Sequence, residues 1–166
     1  MGTPRGDLHP ADGSAQHGRV PTDADAIRAL IFTYAERLDV GDLDGVAALF
    51  EHATWRSLHR PEPLRGSAAV RRAYDVVRLH AGSPRTKHVI TNVVVEVYDA
   101  TRRAAARSYF TVFQALADFP LQAIACGRYH DTFEHAGGGW RFTDRLILAD
   151  LQGDLSRHLT APRSFP

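Results

Sequence analysis

Arg85-Thr86-Lys87-His88-Val89-Ile90-Thr91-Asn92-Val93-Val94-Val95-Glu96-Val97 is the stretch that decides the fold. It is β-branched and apolar over most of its length, which suits a pleated, half-buried strand better than a helix. Side chains of a strand alternate between two faces, so His88, Ile90, Asn92 and Val94 are expected on one side. Polar groups among apolar neighbours on one face need an internal hydrogen bond or a ligand. His88 is therefore a candidate base, provided another segment supplies its partner. Asn92 is a candidate for holding a substrate oxygen, or an amide that braces neighbouring backbone.

Downstream, the period of two continues. Residues 104–116, 122–135 and 140–151 read as three more strands. Their connections, 99–103, 117–120 and 136–139, are hairpin-sized and rich in turn residues. Upstream, the period is helical. Ile27, Leu30, Ile31, Tyr34 and Leu38 form an apolar stripe behind an N-cap at Thr22 or Asp23, and Gly41 is a stop signal. Asp42 restarts a second helix through Leu43, Val46, Leu49 and Phe50, and Ser67 opens a third that Gly82-Ser83-Pro84 ends. Between them 53–58 reads as a short strand, followed by an irregular stretch with Pro61 and Pro63. Helices followed by an antiparallel meander give an α+β class. Long strands twist and curl, so the expected shape is a cone, three helices capping a curved sheet around a ligand cavity.

The 166 residues fit one domain with a sizeable core. Residues 22–159 are expected to form it, with a flexible tail at 1–21 and a short C-terminal tail at 160–166. A net charge of +1 gives no electrostatic case for nucleic acid or an anionic membrane. A single cysteine, Cys126, excludes an intrachain disulfide and any multi-cysteine metal site, and no histidine pair has ligand spacing. No apolar run is long enough to span a bilayer, and the N-terminus lacks a signal-type apolar core, so cytoplasmic is the expected location.

Asp39 is unfavourable electrostatically, since a carboxylate in the last turn of a helix opposes the macrodipole; by itself it reads as a surface Asp at a helix end or as a functional group. Tyr34, about one and a half turns earlier, points into the cavity or packs as core. Trp55 is either a wall for a ring-shaped ligand or core. On the strand at 122–135, Arg128 and His130 share one parity while Tyr129 and Asp131 share the other. Only one set can line the cavity, so Arg128 and Tyr129 are alternative candidates.

Taken together, Tyr34-Ala35-Glu36-Arg37-Leu38-Asp39 with Gly41-Asp42, Thr86-Lys87-His88 with Thr91-Asn92, Gly127-Arg128-Tyr129-His130-Asp131 and Gly139-Trp140-Arg141-Phe142 resemble the SnoaL-like branch of the nuclear transport factor 2 superfamily. The resemblance covers roughly residues 25–159, including the Gly153–Leu159 tail. It implies an α+β cone, often a homodimer formed through the outer sheet face. Scytalone dehydratase and a hexachlorocyclohexane dehydrochlorinase of that superfamily hold an Asp and a His in segments similar to those of Asp39 and His88. The resemblance implies that His88 takes a proton from carbon while Asp39 orients it, with no cofactor or metal. It points to a lyase, isomerase or cyclase acting on a small hydrophobic or ring-containing substrate, as in polyketide or other secondary metabolism. The departures matter equally. Leu38, Trp55, Cys126 and Ile147 stand near positions where the dehydratase has two tyrosines, a second histidine and an asparagine. Limonene epoxide hydrolase, of the same fold, uses an Asp–Arg–Asp set, which Arg128 with Asp131 does not reproduce. The same resemblance leaves open a non-catalytic ligand-binding protein and an assembly subunit like the small chain of ring-hydroxylating dioxygenases.

Overall fold

The computed structural model describes residues 20–58 and 60–160. Most of the tail expected at 1–21 and most of the one expected at 160–166 lie outside these residues.

α1 (Asp23–Val40) begins at a capping box, in which Thr22 and Asp25 satisfy each other's backbone N–H groups. Its Ile27, Ile31, Tyr34 and Leu38 are buried. Gly41 ends it in the left-handed conformation, with Gly41 N–H donating to Leu38 O at 3.0 Å and Asp42 N–H to Arg37 O at 2.9 Å. That pair of bonds fixes Asp39 as the second-last helical residue. Gly41 is demanded twice over, because its φ is +83° and a Cβ there would stand 2.3 Å from Gly82 O. Gly41→Ala is therefore expected to cost at least about 1–2 kcal/mol, more than an ordinary surface change. Urea unfolding reads the loss.

α2 (Leu43–Ala48) starts at Asp42, whose carboxylate accepts from Gly45 N–H at 2.8 Å. α3 (Gly66–Ala73) is shorter than its apolar pattern suggests. It tightens into a 3₁₀ turn at Tyr74–Val76 and stops well before Gly82. The sheet holds six strands in the order β2-β1-β6-β5-β4-β3. They are β1 (Thr54–Ser57), β2 (Arg60–Arg65), β3 (Thr86–Tyr98), β4 (Arg103–Leu116), β5 (Phe119–Ala136) and β6 (Gly139–Gln152). All neighbours pair antiparallel except β1 with β6, so the sheet is mixed.

Two local expectations need correction. The stretch with Pro61 and Pro63 is strand β2, not irregular; it lies at the sheet's edge, where a residue without N–H breaks no ladder. Second, β3 does not keep one parity. Its register slips between Thr91 and Val94, with Asn92 in the left-handed region at φ +53°. This one-residue bulge reverses the alternation. Thr86, His88 and Ile90 turn toward the helices before it and Val93, Val95 and Val97 after it, whereas Asn92 and Val94 are exposed. Further slips in β5 and β6 curl the sheet around α1. At Gly127 the backbones approach so closely that a Cβ would lie 2.0 Å from Leu148 O.

The concave face and the helices enclose one core. It includes Ile27, Ile31, Val46, Phe50, Ile124, Phe133 and Phe142.

Candidate active site

The end of α1 and the start of β3 meet at Asp39 and His88. Gly41's turn directs the helix end against the strand, and three donors from the strand converge on the one carboxylate. Thr86 Oγ1 donates to Asp39 Oδ1 at 2.8 Å, and the His88 backbone N–H to Oδ2 at 2.9 Å. His88 Nδ1 lies 2.7 Å from Oδ1. The two side chains are 7% and 8% exposed, Asp39 and His88 respectively. Burial pushes Asp39 up, but the bonds from the His88 ring, its backbone and Thr86 outweigh this and hold it below the ordinary carboxylate value. Asp39 is therefore an anion near neutral pH. A carboxylate can only accept, so Nδ1 carries the proton and Nε2 of the neutral ring keeps its lone pair. The arrangement can take up a proton at Nε2 and stabilise the resulting imidazolium. The dipole opposition at Asp39 is offset by these three bonds.

The other sequence candidates divide. Tyr34, Trp55 and Tyr129 all lie inside the cone, 2%, 7% and 2% exposed. Tyr34 Oη and Tyr74 Oη are 2.7 Å apart. Two hydroxyls share one hydrogen bond with two protons between them, so one O–H is left to donate elsewhere. Burial raises Tyr34, Tyr74 and Tyr129, the last two well above the usual phenol value, so they stay protonated donors. Trp55 packs edge-on against Tyr74 and Phe110 stacks on Tyr129.

Arg128 and Asn92 are not part of this interior. Arg128 is on the opposite parity of β5 and forms a two-pronged ion pair with Asp150 at 2.8 and 2.7 Å on the outer face. Tyr129 belongs to the inward set. Asn92 is turned out by its own bulge, and a cleft on the outer sheet face takes both it and Arg128 among its walls.

Sequence reading missed two features. Asp131 and Arg145, both buried, bond through two contacts at 2.8 and 2.7 Å. The guanidinium lies 4.1 Å from the Tyr34 ring, 4.3 Å from Tyr129 and 4.8 Å from Phe142. Burial pushes Asp131 up and the guanidinium pulls it back. Arg145 stays charged against its partner, so the pair is ionised. The second feature is His158, in the 153–160 segment, whose ring feels the charges of His88 and Asp39. Its burial, then the charges of His88 and His80, lower its pKa from 6.5 to about 4. The folded chain therefore refuses a proton that the unfolded chain accepts, and stability is expected to fall as pH drops from about 6.5 to about 4. Asp39, also lowered, adds a loss in stronger acid, as pH falls through its folded value. Urea unfolding across this range checks both, and His158→Gln should flatten the upper part.

A surface cleft of about 310 Å³ reaches Asp39 and Thr86 from the side of Arg85, Lys87 and Phe113, but His88 is not among its walls. Among the described residues no three His, Cys, Asp or Glu side chains are grouped to hold a metal ion, and no helix is long and apolar enough to cross a membrane.

No curated protein matches the chain. Among solved structures it is similar to a variant of Rv3472, a function-unknown protein from Mycobacterium tuberculosis, with 27% identity, a TM-score of 0.62 and coverage of 75% of this chain and 70% of that one. It is also similar to a candidate scytalone dehydratase from Novosphingobium aromaticivorans DSM 12444, at 24% identity and TM-score 0.62, covering 78% of this chain and 85% of that one. The β subunit of a candidate aromatic-ring-hydroxylating dioxygenase from the same strain matches at 18% identity and TM-score 0.63, covering 78% and 90%. The last two likenesses, both under 25% identity, show the fold alone. The family described as SnoaL-like domain matches residues 19–146, and the chain belongs to that family.

Proposed function

We propose that the chain is a cofactor-independent lyase, isomerase or cyclase in which His88 removes a proton from carbon and Asp39 orients the imidazole. One observation carries this reading. Asp39 accepts from three donors, one of them Nδ1–H of His88, which leaves Nε2 as the basic nitrogen of a buried dyad. Imidazole is the side chain best matched to proton transfer near neutral pH. The cleft that reaches Asp39 and Thr86, with Phe113 and Leu121 among its walls, suits the approach of a small hydrophobic or ring-containing substrate. The candidate scytalone dehydratase among the similar structures agrees with dehydration as one outcome of the same proton abstraction.

Removing the proton leaves a carbanion or enolate. Loss of a β-leaving group then gives dehydration, return of the proton to another carbon gives isomerisation, and attack on a second carbonyl gives cyclisation. Incubation in D₂O with a panel of cyclic ketones and β-hydroxyketones tests the first step, because NMR reads deuterium wash-in where the carbanion is reprotonated and product formation where it goes on to react. Binding of the panel with neither wash-in nor conversion would favour a non-catalytic binding role. Pairing of two copies through the outer sheet face belongs to the same proposal. It is supported by exposed Val89, Val94, Tyr98 and Tyr109, and sedimentation velocity reads it.

A further inference from the structure

We propose that His158 is the second imidazole of the site, donating a hydrogen bond to the substrate oxygen that becomes enolate-like as His88 takes the neighbouring carbon's proton. This rests on the reading of His88 as base.

The placement follows from a run of contacts. Residues 153–160 leave β6 and lie along the segment after α3. Arg78 N–H donates to His158 O at 2.8 Å, Arg78 Nε to Leu159 O at 2.8 Å and Thr160 N–H to Val76 O at 2.7 Å. Val77 and Leu159 form an antiparallel bridge, and Leu155 is buried beneath. Both sides of His158 are thus fixed. From the sheet, Gln114 Nε2 reaches Arg157 O at 3.3 Å. Gln114 is the cross-strand partner of Thr86, whose hydroxyl bonds Asp39. His158 thus follows a residue tied through Gln114 to the strand that carries Thr86 and His88, and the charges of His88 and Asp39 both act on its ring.

A histidine kept in such a place only to pack would have its ring nitrogens satisfied. His158 Nδ1 is buried and has no hydrogen-bond partner. Leaving it so is costly, and a leucine or phenylalanine would avoid the penalty. The ring is also kept neutral, so one nitrogen carries a proton it does not readily lose. A neutral imidazole is closely matched to a developing enolate as a hydrogen-bond donor. In the step, the C–H bond breaks and its proton passes to His88 Nε2. The electron pair forms the C–C double bond, and the carbonyl π pair moves onto oxygen, which accepts from His158. No oxidant or reductant is needed.

The test uses the full chain with ¹⁵N-labelled histidines and 2-naphthol as an enolate stand-in. The expected result is that 2-naphthol shifts the ring ¹⁵N signals of His158. His158→Phe should weaken binding at least about tenfold, and His158→Gln, which keeps an N–H donor, should restore part of it. Binding that leaves the His158 signals unmoved, equal affinity in His158→Phe, or no binding up to the probe's solubility would overturn the proposal. If His158→Phe does not fold, the wild-type ¹⁵N shifts and His158→Gln decide. A failure of the base reading is distinguishable, because it removes deuterium wash-in and leaves the His158 response intact.

Discussion

His88→Ala is expected to slow deuterium wash-in by about 10²–10⁴-fold, the range that a positioned general base contributes. The substitution removes the basic ring nitrogen of the dyad and leaves Asp39 with Thr86 and the backbone N–H as donors. Asp39→Asn should be nearly as damaging for a different reason. An amide that donates to Nδ1 forces the ring proton onto Nε2, where the lone pair is needed. Circular dichroism and thermal unfolding must show both variants folded. A wash-in rate within about a factor of two of wild type in His88→Ala would remove His88 from the mechanism.

Asp131→Asn is expected to destabilise the fold by about 3–5 kcal/mol, a large share of the roughly 5–15 kcal/mol that holds a domain of this size together. The loss comes less from the missing attraction than from a buried guanidinium left without its counter-charge. Arg145 is 0% exposed, so bulk solvent does not reach it to take the place of the carboxylate. The three rings around it offset part of the charge, each by about 0.5–2 kcal/mol. Asp131→Leu combined with Arg145→Met should be less destabilising than Asp131→Asn, because it removes both charges and keeps the volume. Urea unfolding midpoints compare the two. A double variant weaker than the single one would show that the pair contributes net stability.

The strand and helix periods were legible in the sequence because burial imposes them. Asp39 stood out by charge and His88 by polarity, but it was the resemblance to the SnoaL-like branch that joined them as a pair. Asp131 with Arg145 was hidden by a bulge. Counting outward from the Ala136–Gly139 closing pair, an unbroken hairpin would set Asp131 against Asp144, two like charges. The slip between Thr132 and Phe133 moves the register so that Arg145 faces it instead. Asn92 was misplaced by the same kind of event on β3. Alternation cannot reveal where one residue is skipped, although an Asn able to adopt a left-handed backbone is a weak sign. His158 was illegible for another reason. Residues 153–160 have no period, and the position of their side chains is set by backbone bonds to Val76, Val77 and Arg78, distant in sequence.

The bulge at Asn92 also protects the free margin of the sheet. β3 is an outermost strand of 13 residues, and a straight strand of that length would present a continuous row of unpaired backbone groups to any passing chain. The kink divides that row into Thr86–Thr91 and Val94–Tyr98, two short pieces that no single straight strand can follow. One residue that breaks the pattern of the strand thus turns Val93 into the core and guards the molecule against uncontrolled self-association.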